Sequence, residues 1–336
     1  MKAAAITGIG GPDVVSVVDV DDPIARPGEL VVQVEATSYN HIDALLRTED
    51  FGNPFPLVPG SDVVGRVVGG EDDATKGKVM VNPGIPCGAC DMCSRQSTCR
   101  YVRILGVHRS GGYGEFVSVP AAQCFRLPDS VDVDKAAAFP LVFLTAWRML
   151  RTRARLAPGE SVLIWGASGG LGSAAAAITR LLGGRTIAVV RHSEHVEALQ
   201  RYAADFVIDS STTDVLAAVM ELTDGAGVDV VFEGPGNPTF ATSIQAVSQG
   251  GRIVTAAASG GKQVEMNVED LYYRQISVLG SRMGYRHEFV EILNHFLAGR
   301  IAPLVSTVLP LSQARSAHQM AANGNRCGKM VLRNDL

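Results

Sequence analysis

The sequence lacks the features of a membrane-inserted or exported chain. Its longest apolar run, residues 136–147, is too short to span a bilayer and is interrupted by Pro140. The N-terminal stretch MKAAAITGIGGPDVV has no sustained apolar core, so it does not resemble a signal peptide. Internal repeats, low-complexity tracts and charge blocks are also missing. We therefore expect a cytoplasmic protein that makes no contact with a membrane.

The sequence also lacks an excess of either charge. It has 30 Lys and Arg residues against 34 Asp and Glu residues, a formal charge of −4. This balance gives no electrostatic reason to bind nucleic acid, so the expected partner is a small molecule. With 46% hydrophobic and 19% charged residues the chain is of globular composition, and 336 residues favour two domains over one core.

The pattern of short segments changes near residue 125. Before it, β-branched runs bounded by Gly, Pro and Asp predict strands at 14–20, 29–37, 62–69, 78–82 and 114–120, which is typical of an all-β unit. After it, a helix predicted at 134–153 precedes alternating strands and helices up to residue 257, including a helix at 238–250. This alternation predicts a parallel sheet covered by helices. The last fifty residues predict a helix at 287–300 and two strands that return to the first unit.

A glycine-rich loop lies between a strand and a helix of the second region. Strand 161–165 runs into 166-GASGGLG-172 and then into an alanine-rich helix. Glycines allow a tight turn and let backbone N–H groups approach a pyrophosphate at the helix N-terminus. The strand–loop–helix context predicts a dinucleotide site. Its predicted contacts are Gly166, Ser168, Gly169, Gly170, Leu171 and Gly172.

The end of the next strand selects between the two nicotinamide cofactors. An NAD site needs an acidic residue there for the ribose hydroxyls, whereas this sequence has Arg191, His192 and Ser193. A cation and a hydroxyl suit a 2′-phosphate, so we predict NADP(H). The alternative is that Arg191 is a solvated loop residue. Loop positions after later strands complete the predicted cofactor site: Ala256, Ala257, Ala258, Gly280, Ser281 and Met283.

Four cysteines lie within thirteen residues in 87-CGACDMCSRQSTC-99. In a reducing compartment, clustered thiols are metal ligands more often than disulfides. The C-x2-C-x2-C-x5-C spacing favours one tetrahedral zinc on Cys87, Cys90, Cys93 and Cys99. It departs from the bacterial iron–sulfur pattern in its last gap and lacks the following proline. A metal-free cluster remains an alternative because the last gap is short.

The chain resembles the medium-chain dehydrogenase/reductase superfamily. The similar motifs run along the whole chain: 27-PGELVVQVEATSYNHID-43, 59-PGSDVVGRV-67, 111-GGYGEFVSVP-120, 140-PLVFLTAW-147, the glycine loop and 328-GKMVL-332. The resemblance implies an α/β protein, with a GroES-like β-barrel catalytic domain at 1–140 and 284–336 and a doubly wound parallel Rossmann domain at 141–283. It also implies hydride transfer, a homodimer or homotetramer, and contact between His41 and the coenzyme pyrophosphate.

The resemblance further separates two possible zinc sites. Zinc alcohol dehydrogenases hold a structural zinc on a similar cysteine lobe, whose last gap is two residues longer. Their catalytic zinc ligands match Asn40, Ser61 and an apolar residue within 140–145, and their proton-relay hydroxyl matches Ile42. None of these residues suits a catalytic zinc, which needs about three protein ligands. The 40-NHID-43 and 60-GSD-62 patterns resemble the zinc-free quinone oxidoreductase and enoyl reductase branch instead.

The predicted function is therefore NADPH-dependent reduction of a conjugated carbonyl, either a quinone, an enone or an enal. Its candidate catalytic residues are Asn40 as a hydrogen-bond donor, Tyr39 as a pocket residue or proton source, and Thr145 on the nicotinamide side. One alternative is a zinc alcohol or polyol dehydrogenase. Another is a non-enzymatic, crystallin-like NADPH-binding protein.

Overall fold

The computed structural model describes residues 1–70, 76–94, 99–324 and 326–336. The chain divides into two compact units. The first comprises Met1–Leu141, Tyr285–Phe289 and Val305–Leu336, and the second comprises Val142–Gly284 and Val290–Leu304. The prediction assigned all of 284–336 to the first unit, whereas most of the helix in that stretch belongs to the second. No helix in the described residues is long and apolar enough to cross a membrane.

Strands and helices are numbered here in chain order. The strands are β1 Lys2–Ile6, β2 Val15–Asp19, β3 Glu29–Ser38, β4 Asp62–Gly69, β5 Lys78–Val81, β6 Gly84–Ile85, β7 Arg103–Ile104, β8 Phe116–Pro120, β9 Cys124–Arg126, β10 Ser161–Ile164, β11 Arg185–Val190, β12 Phe206–Asp209, β13 Val228–Glu233, β14 Val247–Thr255, β15 Ser277–Gly280, β16 Val305–Pro310 and β17 Lys329–Arg333. The helices are α1 His41–Thr48, α2 Asp91–Ser94, α3 Val133–Ala137, α4 Pro140–Trp147, α5 Gly170–Leu181, α6 Val196–Tyr202, α7 Val215–Leu222, α8 Asn237–Ala246, α9 Val268–Tyr273, α10 Arg286–Leu297 and α11 Ala314–Asn323.

The first unit is built around strand β3. Its sheet has the order β16-β17-β3-β4-β5-β9, and β8 also pairs with β3. Alternate residues of β3 (Leu30, Val32 and Val34) are buried, as expected for a strand with one face on a core. They pack in a cluster with residues from β4, β5 and β8. This arrangement confirms the predicted sheet for residues 1 to about 125, but the unit is not all-β, because helices α1 and α2 also lie in this stretch.

The second unit is an α/β layer structure. Its strands are all parallel in the order β12-β11-β10-β13-β14-β15, so the order reverses between β10 and β13. Helix α5 packs on β10 and β11, and α8 packs on β13 and β14. Strand β10 is buried along its whole length, which is typical of a central parallel strand. The predicted doubly wound sheet is confirmed.

Two predicted helices have different bounds in the structure. The helix predicted at 134–153 is interrupted, because Pro140 has no N–H and begins a new helix, and a π-helical turn covers Arg148–Arg153. The helix predicted at 238–250 ends at Ala246, and Val247 already pairs with Val228 in the sheet. The register shifts before the next pair, where Gly250 has a φ of +75°. A glycine bulge inside β14 therefore explains the false helical signal.

Candidate functional site

A buried polar cluster forms in the first unit where three strands meet. Strand β3 pairs Ser38 with Asp62 of β4 on one side and with Val331 of β17 on the other. Lys329 begins β17, so its side chain is delivered next to the end of β3. Register alone thus brings together residues that are 267 positions apart in the chain.

The centre of this cluster is an ion pair between Asp62 and Lys329. The Lys329 Nζ atom lies 3.0 Å from Asp62 Oδ2, and their side chains are 3% and 0% exposed. Lys329 also donates to the Tyr39 carbonyl oxygen at 2.8 Å and to Asn40 Oδ1 at 2.6 Å. Burial lowers the pKa of Lys329, and the Asp62 carboxylate opposes this shift. Each of the three ammonium protons therefore has an acceptor within the protein.

Asp62 accepts from neutral donors as well. Its Oδ2 receives hydrogen bonds from Ser38 Oγ at 2.6 Å and Asn40 Nδ2 at 2.8 Å, and its Oδ1 receives one from the Leu141 N–H at 2.8 Å. Both ends of the Asn40 amide are therefore used inside the cluster. In the structure Asn40 thus links Asp62 and Lys329. Its predicted hydrogen bond to substrate or to the cofactor ribose stays a prediction.

A second buried carboxyl group, Asp43, lies beside this cluster. Its Oδ2 accepts from the Asn40 N–H at 2.8 Å and from the Tyr113 hydroxyl at 3.3 Å. Burial raises the pKa of Asp43 to about 7, while the Asn40 N–H and the Lys329 cation act in the opposite direction. Asp43 is therefore a mixture of acid and carboxylate near neutral pH.

Two predicted site residues, Tyr39 and His41, flank Asn40. Tyr39 is buried, with 4% of its surface exposed, and burial raises its hydroxyl pKa to about 12. It keeps its proton at neutral pH and has no hydrogen-bond partner among the described side chains. His41 is the exposed first residue of α1. Desolvation and the Arg326 cation lower the pKa of His41.

The glycine loop of the second unit has the geometry of a phosphate-binding turn. Gly166 has a φ of +63°, which favours glycine, and α5 begins just after Gly169. A Cβ on Gly172 would lie 2.4 Å from the Gly166 carbonyl oxygen, so only glycine fits there. The first N–H groups of α5, from Gly170 to Gly172, have no acceptor within the helix. Such N–H groups can bind a phosphate, and the contacts of this loop with the cofactor, including those of Ser168 and Leu171, stay predictions.

The predicted selectivity residues follow strand β11. Arg191, His192 and Ser193 are all exposed at its carboxyl end. One nearby acid is Asp209 of β12, which is in register with Val190. Its Oδ1 already accepts from the Ser211 N–H at 2.9 Å and Oγ at 2.7 Å. Strand β11 itself thus ends in a cation and polar groups, without the acidic residue of an NAD site.

The carboxyl ends of the remaining central strands lie at one edge of the sheet. Glu233, Thr255 and Gly280 are in register across β13, β14 and β15. The predicted loop residues follow directly from these ends: Ala256, Ala257 and Ala258 after β14, and Ser281 and Met283 after Gly280. Thr145 is buried in α4 of the same unit.

Glu233 was not predicted from the sequence. Its carboxylate is fully buried and accepts from the Gly236 N–H at 2.9 Å, Thr239 Oγ1 at 2.7 Å and Ser243 Oγ at 2.6 Å. These neutral donors fix the turn after β13 at the ligand edge of the sheet. The sequence signal for this buried acid was a glutamate at the end of an apolar strand, as in VVFEG.

The four predicted metal ligands converge in the first unit. Their Sγ atoms all lie within 4.8 Å of one another, with Cys87–Cys93 at 3.8 Å and Cys90–Cys93 at 3.5 Å. A tetrahedral zinc with Zn–S bonds of about 2.3 Å requires sulfurs roughly 3.8 Å apart. The Cys87 N–H also donates to Cys99 Sγ at 3.3 Å. The sulfur geometry fits zinc, although residues 95–98 of the short gap lie outside the described residues.

The second unit carries a glycine loop on a parallel sheet, and the first unit carries four clustered cysteines (Cys87, Cys90, Cys93 and Cys99, the cysteine quartet). This combination is typical of nucleotide-dependent dehydrogenases. The comparisons with known proteins agree. The family "Alcohol dehydrogenase GroES-like domain" matches residues 26–129, and the family "Zinc-binding dehydrogenase" matches residues 170–298. The chain belongs to the medium-chain dehydrogenase/reductase superfamily and is an oxidoreductase.

Its relatives are named for two activities. An NAD-dependent alcohol dehydrogenase of Sulfolobus acidocaldarius is 30% identical and a quinone oxidoreductase of Homo sapiens is 26% identical. The first match covers 99% of both chains, and the second covers 99% of this chain and 97% of the human protein. A crystal structure of an NAD-dependent alcohol dehydrogenase is 35% identical, covers 99% of both chains and superposes with a TM-score of 0.94.

Proposed function

We propose that this protein transfers hydride from NADPH to a conjugated carbonyl without a catalytic zinc. The observation that carries the proposal is the Asp62–Lys329 ion pair with Asn40. Zinc alcohol dehydrogenases place catalytic ligands at the positions of Asn40 and Ser61. Here an ammonium group lies 2.6 Å from Asn40 Oδ1. A zinc ion at that place would meet a cation of the same sign and a side chain that is a poor ligand.

A conjugated substrate suits a site without a Lewis acid. When bound, NADPH supplies a hydride to the β-carbon, and conjugation carries the electron pair to the carbonyl oxygen. The resulting enolate takes a proton at the α-carbon. Tyr39 is the proposed donor, because it is protonated at neutral pH and its hydroxyl is not committed to a described partner. The buried cluster beneath Tyr39 positions its backbone, since Lys329 donates to the Tyr39 carbonyl oxygen.

NADP(H) is proposed over NAD(H) because β11 ends at Arg191, His192 and Ser193. A guanidinium pairs with a phosphate through two parallel hydrogen bonds, and an exposed loop leaves it accessible. The alternative cofactor is NAD(H), because several relatives are named NAD-dependent.

The cysteine quartet is proposed to hold a structural zinc. Four thiolate ligands close the coordination sphere, so this metal would have no open position for a substrate. A homodimer or homotetramer and a cytoplasmic location remain predictions from the resemblance and the composition.

Isotope transfer tests the proposed reaction. The protein is incubated with NADPH deuterated at nicotinamide C4, and a panel of quinones, enones and enals is screened by NADPH oxidation. For an enone or enal, mass spectrometry should find the deuterium on the β-carbon of a saturated carbonyl product. Deuterium on the carbonyl carbon of an alcohol product would contradict the proposal.

A zinc-dependent alcohol dehydrogenase is the second candidate, favoured by the names of the archaeal relatives. It would oxidise simple alcohols with NAD⁺ and lose that activity to a chelator. Activity of the protein on conjugated carbonyls in the presence of the same chelator would separate the two candidates.

A further inference from the structure

Arg326 is a cation whose charge no described acidic group balances. It lies just before β17, is half-buried, and its guanidinium carbon is 5.3 Å from the centroid of the Tyr39 ring. It forms neither an ion pair nor a hydrogen bond through its side chain with any described residue. The lysine that follows it, Lys329, differs in this respect because Asp62 neutralises it.

The partly buried surroundings of Arg326 make its charged form less favourable than it would be in water. Burial lowers the pKa of Arg326, and its cation in turn lowers the pKa of Lys329 and of His41. Stacking on an aromatic ring offsets only part of such a penalty. The Arg326 cation beside Tyr39 would therefore be stabilised by an anion bound next to it.

The Tyr39 ring next to the Arg326 guanidinium is held in place by its packing. Tyr39 packs edge-to-face on His318 with 5.0 Å between ring centroids, and His318 Nδ1 accepts from Arg47 Nε at 3.2 Å. Burial lowers the pKa of His318 to about 4, so the imidazole is neutral at physiological pH. Tyr39 and His318 thus form a packed and neutral aromatic pair beside Arg326. These rings are already ordered before an anion binds.

We propose that Arg326 recognises an anionic group of the substrate, a carboxylate or a phosphate on the conjugated carbonyl compound. This inference rests on the proposed function. The glycine loop and Arg191 of the second unit, together with His41, are the groups predicted for the phosphates of the cofactor. The unbalanced cation stacked on Tyr39, the proposed proton donor, is left for the substrate. The preferred substrates are therefore unsaturated carbonyl compounds with an acidic tail, and their neutral esters are poor substrates.

A matched pair of substrates tests this assignment. One compound is an enone with a terminal carboxylate, and the other is its methyl ester. For the wild-type protein, KM should be about tenfold or more lower for the acid than for the ester, because a charge-assisted guanidinium pair is lost with the ester. Arg326→Met should remove this preference by raising KM for the acid alone, and Arg326→Lys should retain part of it. Arg103→Met, a change at an exposed arginine of β7, is the control and should have no effect.

Binding measurements separate this proposal from the reaction itself. Calorimetry with the NADP⁺-loaded protein and the saturated carboxylate analogue needs no turnover, so it stays informative if the proposed reaction is wrong. Arg326→Met should weaken that binding about tenfold while the Kd for NADPH stays unchanged. Weaker NADPH binding in Arg326→Met would assign the cation to the cofactor and overturn the proposal. Equal loss for acid and ester would overturn it as well.

Discussion

Replacing Lys329 with methionine should strongly destabilise the first unit. Methionine has a similar length and fits the apolar part of the lysine side chain, so the change removes mainly the ammonium group. Asp62 would then be a carboxylate with no exposed surface and no counter-ion. The acceptors on Tyr39 and Asn40 would each lose a donor at 2.8 Å and 2.6 Å.

The expected cost follows from these contacts. Removing one partner of a buried ion pair costs about 3–5 kcal/mol, because the remaining charge stays buried. Asp62 keeps its three neutral hydrogen-bond donors in this variant. We therefore expect a loss of unfolding free energy near the lower end of this range, about 3 kcal/mol. The double variant Lys329→Met/Asp62→Asn removes the orphan charge, so it should recover half or more of the loss. The two single changes should therefore be strongly non-additive.

Urea denaturation measures this coupling. Far-UV circular dichroism follows both units, whereas Trp147 and Trp165, the two tryptophans of the chain, report on the second unit. Lys329→Met should lower the midpoint seen by circular dichroism. A cost below about 1 kcal/mol, or a double variant that is no more stable than Lys329→Met alone, would show that Lys329 is not needed to compensate the buried charge of Asp62.

Other variants test neighbouring features. The folded-state pKa of Asp43, about 7, exceeds its usual 3.8, so stability present at low pH is lost as pH rises through 7. At 1.36 kcal/mol per pKa unit this loss is about 4 kcal/mol, and Asp43→Asn should abolish it in urea titrations at several pH values. Arg191→Asp should lower the NADPH/NADH preference in kcat/KM at least tenfold, and an unchanged ratio would exclude Arg191 from selectivity. Gly172→Ala should weaken NADPH binding in fluorescence titrations, whereas Gly8→Ala, whose Cβ would have no atom within 4 Å, should bind normally.

The parts of the fold that depend on local sequence were predictable. Glycines between a strand and a helix identify the phosphate loop, because backbone freedom and helix polarity act within a few residues. The cysteine quartet is equally local, with its ligands inside thirteen residues. The bounds of two helices were predicted wrongly, and the reasons are also local. Pro140 and Gly250, which end the helical pattern in these two segments, could be read from the sequence.

The buried cluster was not predictable in the same way. Lys329 stands in 328-GKMVL-332, where a single charge in an apolar strand gives only a weak hint of a buried partner. Its partner is set by the order β17-β3-β4, which no local pattern fixes. The same holds for the stacking of Arg326 on Tyr39, since the two residues come from distant segments. Sequence reasoning identified the position of Asn40 but did not predict its contacts with Asp62 and Lys329.

The zinc content of the purified protein shows whether a catalytic metal is present beside the structural one. Elemental mass spectrometry of protein prepared with excess zinc and then desalted should find one zinc ion per subunit. That zinc should be lost in Cys99→Ser and kept in Asp62→Asn. Two zinc ions per subunit, with one of them lost in Asp62→Asn, would contradict the account of a site in which an ammonium group has replaced the catalytic metal.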